Sequence, residues 1–129
     1  MPLIKMNEIV QIAKKNKLML PAFNTTDVQM TLAIMDAFER AGMPGIVQIA
    51  PTNVKVTGYN FIAKTTAMAA EKYITPIALH LDHGKTLDDV RQAVLAGFTS
   101  VMIDGAALPF EENILFSRQA VDFAHCYGV

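Results

Sequence analysis

Two hydrophobic patterns alternate along the chain. Short, nearly unbroken apolar runs at 18–24, 45–50, 77–82 and 99–103 are separated by longer stretches in which apolar residues recur every three or four positions. Apolar runs of about four to eight residues bounded by turn residues read as strands, and a period of about 3.6 reads as helix. The pattern predicts helices over 7–16, from a cap at Thr25, Thr26 or Asp27 to Gly42, over 59–73, over 86–96, and from 109 to about 127, with 51–57 as a loop. Asn7 is the expected cap of the first helix, and Thr86 with Asp89 the expected capping pair of the fourth. Gly42, Gly97 and Gly128 stand just past three helices, where a left-handed terminating residue is favoured. Four strand-then-helix units therefore follow a leading helix. Parallel strands need crossover helices, so this order implies a parallel sheet. A closed barrel of eight such units takes about 250 residues. The pattern fits either a small open sheet or the first half of a barrel.

Strand alternation sorts the side chains. Ile77, Leu79 and Leu81 share one apolar face, suited to packing against helices; Ala78, His80 and Asp82 share the other. With the second face taken as inward, the matching sets are Leu20, Ala22, Asn24; Ile46, Gln48, Ala50; and Ser100, Met102, Asp104. Asn24, Asp82 and Asp104 are the polar ends of three of these four sets, and His83 follows where its strand gives way to a loop. Ionisable groups at the C-terminal tips of parallel strands are the pattern of an α/β site. Two carboxylates and an imidazole suit a divalent cation or acid–base work. Plainer readings stand beside these. Asn24 and Asp104 also suit a cap and a turn. His80 reads as a satisfied buried histidine, the methionines as core filler, and Cys126 as a buried or partly buried thiol without a catalytic role. Lys14, Lys15, Lys17, Glu111 and Glu112 read as solvated helix ends.

Composition narrows the class. The chain has 129 residues, 52% of them hydrophobic, which excludes a mainly disordered protein. A net charge of -1 gives no basic field for nucleic acid or a membrane surface. A single cysteine cannot form an internal disulfide and fits a reducing, cytoplasmic setting. No apolar run approaches the ~20 residues of a membrane span, and residues 1–5 show no secretory segment.

Three blocks carry a family resemblance: Ala78-Leu79-His80-Leu81-Asp82-His83-Gly84; Gly97-Phe98-Thr99-Ser100-Val101-Met102-Ile103-Asp104-Gly105; and Leu108-Pro109-Phe110-Glu111-Glu112-Asn113-Ile114, with Pro21-Ala22-Phe23-Asn24 ahead of them. In order and spacing they resemble class II, zinc-dependent ketose-bisphosphate aldolases. The resemblance implies a TIM (β/α)8 barrel, here its first four β/α units preceded by an N-terminal helix, as one partial domain over 1–129. It implies a lyase that cleaves fructose or tagatose 1,6-bisphosphate to dihydroxyacetone phosphate and glyceraldehyde 3-phosphate, a phosphorylated-sugar partner, and a homo-oligomer in full-length form. By the same resemblance, Asp82 corresponds to the catalytic aspartate, His83 to a zinc ligand, Asp104 to a carboxylate beside a cation, and Asn24 to a substrate-contacting asparagine. The other two zinc histidines of that family fall beyond the matched half, so this stretch alone is expected to bind zinc weakly and turn over little. The alternative is a non-catalytic truncated form, or a half-barrel that associates with a complementary chain.

Overall fold

The computed structural model describes residues 3–129. Met1 and Pro2, part of the N-terminal stretch read as lacking a secretory segment, lie outside the described residues. The order is α1 (Met6–Asn16), β1 (Ala22–Asn24), α2 (Val28–Ala41), β2 (Gly45–Ile49), α3 (Pro51–Thr57), α4 (Tyr59–Ala70), β3 (Ile77–Gly84), α5 (Leu87–Ala96), β4 (Ser100–Ile103) and α6 (Phe110–Cys126). The strands form one parallel sheet in the order β1-β2-β3-β4. Every expected strand and helix is present. Asp27 caps α2 by accepting the Met30 N–H at 2.8 Å. Thr86 and Asp89 form the expected reciprocal capping pair on α5.

Several expectations are corrected. Residues 51–57 are not a loop but the short helix α3. Pro51 opens it at a position where a proline's missing N–H needs no partner, and Val54 anchors it with 2% exposure. A helix this short shows too few turns to reveal a period. The N-cap of α1 is Lys5, not Asn7, and the Lys5 N–H is taken by Glu8 at 3.1 Å. β1 pairs over three residues only, and β3 runs on through Gly84. Met35 is fully buried, but Met19 and Met68 are largely exposed, so the methionines are not uniformly core. Cys126 is exposed rather than buried, and its thiol donates to the Asp122 carbonyl at 3.1 Å.

The two faces of the sheet are covered differently. On the outer face Val47, Ile49, Ile77, Leu79 and Leu81 are almost wholly buried against residues that include Met35 and Phe38 of α2, Val90 of α5 and Phe98 just beyond α5. Side chains of this size contribute about 1.5–3 kcal/mol each on full burial. The inner face is split along its length. Its N-terminal half, Ile46 and Ala78, is sealed by Ile4 and by Ile9 of α1. The chain is pinned there by the Ile4 N–H donating to the Ile77 carbonyl at 2.9 Å. The C-terminal half of the same face carries Gln48, His80 and Asp82, none of them fully buried. Among the described residues nothing pairs with the outer edges of β1 and β4, and a groove of about 640 Å³ runs along β4 between α1 and α6.

One close contact fixes α2 against the sheet. A Cβ at Gly45 would fall 2.3–2.5 Å from the Phe38 ring. Gly45→Ala should therefore lower stability by about 1–3 kcal/mol through overpacking, read as a lower urea midpoint at unchanged slope. Adding Phe38→Leu should recover part of the loss. A Gly45→Ala protein as stable as the parent would refute this packing.

Candidate functional site

Residues from three strand ends meet at the open end of the inner face. Asn24, at the end of β1, donates from Nδ2 to Asp82 Oδ2 at 2.8 Å. Gln48 of β2 donates from Nε2 to Asn24 Oδ1 at 2.7 Å. The Asn24 side chain is thus turned to its neighbours, and the cap of α2 falls to Asp27. On the other side of Asp82, His83 places Nδ1 3.1 Å from Asp104 Oδ2 and Nε2 3.6 Å from Asp82 Oδ1. Asp104 is also a turn residue: its Oδ1 takes the Ala106 N–H at 3.1 Å.

Local backbone geometry makes this possible. His83 sits at φ 56, one of two non-glycine residues with positive φ among the described residues. The β3–β4 register passes from Leu81 opposite Val101 to Gly84 opposite Ile103, so β3 carries one extra residue. That is a β-bulge, which bends a strand and re-aims a side chain. The next residue must be small, because a Cβ at Gly84 would lie 2.9 Å from the Met102 carbonyl oxygen.

Lys85 completes the cluster. Its ammonium reaches Asp104 Oδ2 at 2.5 Å. Lys85, then the Ala106 N–H, then His83 hold the Asp104 carboxyl well below the usual carboxylate range. An ionised carboxylate only accepts hydrogen bonds, so the bond between them runs from His83 Nδ1 to Asp104 Oδ2. His80 is held differently, with Nδ1 2.7 Å from Ser100 Oγ, as a satisfied histidine.

The expected site residues Asn24, Asp82, His83 and Asp104 therefore lie together. Sequence reasoning missed two members. Gln48 was visible on the inward face but stands one position short of its strand's tip. Lys85 follows the glycine and gave no periodic signal. His125, late in α6, lines the groove between α1 and α6 instead. Zinc would find the right kind of donor here, an imidazole whose other nitrogen is held by a carboxylate. It would not find enough donors, because among the described residues no group of three or more His, Cys, Asp or Glu is placed to hold a metal ion.

A family profile described as fructose-bisphosphate aldolase class-II matches residues 4–129, and the chain belongs to that family. It is 36% identical over 130 residues to the fructose-bisphosphate aldolase of Giardia intestinalis, covering 100% of this chain and 40% of that protein. It is 34% identical over 132 residues to the fructose-bisphosphate aldolase of Staphylococcus aureus (strain Mu50), covering 100% of this chain and 46% of that protein. Among solved structures, the YdjI aldolase of Escherichia coli K12 superposes with a TM-score of 0.89 at 29% identity, over 98% of this chain and 50% of that one. The chain thus spans half or less of the length of each. The four parallel βα units are a half-barrel arrangement of the (β/α)8 type, as the resemblance implied.

Burial holds the His80 ring below its ordinary value of 6.5, against the opposing pull of Asp82. The unfolded chain then binds more protons at this ring than the folded one as pH falls through about 6.5, so folding stability contributed here is present above that value and lost below it. An NMR titration should give His80 a midpoint below 6.5, and a midpoint above it would refute the buried neutral ring.

Proposed function

We propose that this chain is the N-terminal half-barrel of a zinc-dependent aldolase, a lyase that cleaves a ketose 1,6-bisphosphate, fructose or tagatose, to dihydroxyacetone phosphate and glyceraldehyde 3-phosphate. The observation that carries the reading is the convergence of Asn24, Asp82, His83 and Asp104 at one end of a parallel sheet, in a chain of the class II aldolase family.

The roles are those the family resemblance implies, and the contacts support them. Asp82 is the proton carrier. Asn24 holds one of its oxygens, and the other, Oδ1, faces His83 Nε2 across 3.6 Å. In cleavage Asp82 takes the proton of the hydroxyl beside the bond being cut; the hydroxyl carbon becomes the aldehyde and the electron pair of the carbon–carbon bond passes to the ketose half. Asn24, itself fixed by Gln48, positions that carboxylate and presents an amide to the substrate. His83 and Asp104 form the metal side of the site, with Nε2 of His83 as the ligand atom. Zinc, when bound, supplies Lewis acidity toward the ketose carbonyl. A catalytic zinc takes three protein ligands and an open position, so the metal needs ligands beyond those of this stretch, from a longer protein or a complementary chain. The lone cysteine and even charge suit a cytoplasmic enzyme that binds a phosphorylated sugar and not nucleic acid or membrane, and a homo-oligomer is the expected full-length state.

Two substitutions in an active form containing these residues test the reading. Asp82→Ala should lower kcat by about 10²–10⁴-fold, the usual range for losing a positioned proton carrier, with zinc content unchanged. His83→Ala should lower zinc content itself, measured by metal analysis after dialysis. If Asp82→Ala left turnover intact, or His83→Ala left zinc content intact, the corresponding assignment would be wrong.

A further inference from the structure

The two edges of the sheet match each other. We propose that two copies of this chain close into one eight-stranded parallel barrel, with β4 of each copy pairing with β1 of the other and α6 of each packing beside the α2 of the other.

The strand edges come first. Unpaired edges invite pairing, and charged side chains on an edge strand are a common guard against it. Neither β1 nor β4 carries a charged residue. Toward β2, the Pro21 carbonyl accepts the Ile46 N–H and the Thr25 N–H donates to the Gln48 carbonyl, both at 2.9 Å. Backbone groups alternate in direction along a strand, so those of Ala22 and Asn24 point away from β2 to the open edge. At the other edge, the groove along β4 is walled by Val10 of α1 on one side and by Val121 and Ala124 of α6 on the other. A strand laid in it meets apolar residues on both faces. β1 presents the right pair: Ala22 lies level with Ile46 on the α1 side of the sheet, and the exposed Phe23 lies level with Val47 on the helix side.

The helices beside these edges are complementary as well. One side of α2 is occupied, because the Tyr73 hydroxyl donates to Asp36 at 2.7 Å and the Ile74 N–H to Glu39 at 3.1 Å. Helical spacing puts Met30, Ala37 and Ala41 on the opposite side, and all three are exposed. One side of α6 meets α5, with Arg91 over the Phe123 ring at 5.8 Å. Its opposite side carries Phe110, Ile114 and Val121, which are 75%, 47% and 44% exposed. Both helices start near a strand tip and run the same way. Side by side, Phe110 falls near Met30, and Val121 falls near Ala37 and Ala41, a large residue against small ones.

Curvature and number select closure. A contact between two different edges makes a ring if its rotation closes and a filament if it does not. The 2.8 Å bond from Asn24 to Asp82 across β2 shows the sheet bending inward. Four strands are half of the eight whose inward side chains fill a barrel. The polar tips of both copies then line one mouth, at the end away from α1.

The test measures particle mass by light scattering on the 129-residue chain at micromolar concentration. The expected mass is that of two chains. Ala37→Glu alone and Val121→Lys alone should each weaken the dimer by at least about tenfold, because a charge is closed into an apolar contact without a partner. Both positions are exposed in the single chain, so the helical circular dichroism should not change. The two substitutions in one chain place opposite charges across the contact and should restore association. Hydrogen exchange at the Ala22 and Asn24 amides should be slow in the dimer and fast in Ala37→Glu. A monomer, a ladder of larger species, or a dimer indifferent to both single substitutions would overturn the proposal.

Discussion

Strict alternation along β3 would send Asp82 and His83 to opposite faces of the sheet. One carboxylate would enter the site and the imidazole would be lost among the outer helices. The bulge removes that conflict. With three steps on β3 set against two on β4, and His83 in a left-handed conformation that most side chains avoid, both consecutive residues face the open end. Non-glycine residues in this region carry strain, and they persist where surrounding structure holds them. Here the Asp104 N–H on the Gly84 carbonyl and the tight passage of Gly84 beneath the Met102 carbonyl provide that hold. The site depends on this local break in a regular strand.

The rest of the inner face is regular, and its change of character along the strands decides where a ligand could enter. Ile46 and Ala78 meet an apolar cap made by α1. One side-chain pair further on, Gln48 and His80 lie level in the sheet register, followed by Asp82. A polar group sealed under α1 would need a partner it does not have there. An apolar tip would leave the open end without chemistry. The leading helix thus fixes the polarity of the half-barrel, closing one end and leaving the other for function.

Much of this could be read from the residues. The parity of 77–82 separates Leu79 and Leu81 from His80 and Asp82, and the outer set is buried as that parity requires. The caps at Thr86 and Gly97 were legible because their chemistry is local. What escaped has a common cause, in that it depends on contacts between segments distant in sequence. Lys85 is an ordinary lysine after a glycine until Asp104 arrives beside it from the next strand. Gln48 is one polar residue in an apolar strand until Asn24 turns back to meet it. Burial of a methionine depends on which helix face it lands on, so Met35 is enclosed and Met68 is not. The bulge itself has no signature in the sequence, since His83 followed by Gly84 reads equally well as a loop.

The hydrogen bonds across the tips also bear on the shape of the sheet. Asn24 and Asp82 belong to β1 and β3, with β2 between them. In a flat sheet those strands would lie about 9.6 Å apart, two spacings of about 4.8 Å. A 2.8 Å hydrogen bond between their side chains is made where both lean inward over β2, as on the concave side of a sheet that curves toward closure. Gln48, rising from β2, fills the space beneath and bonds to Asn24. Two linked chains result, Gln48–Asn24–Asp82 and Lys85–Asp104–His83, meeting across the 3.6 Å between Asp82 and His83. They differ in electrical character. Asp104 is matched to the full cation of Lys85 and also meets the His83 imidazole. Asp82 accepts its 2.8 Å bond from a neutral amide and has its second oxygen turned toward His83. Two carboxylates with such different partners are suited to different tasks. That difference supports the proposed division, with the proton at Asp82 and the metal side at His83 and Asp104.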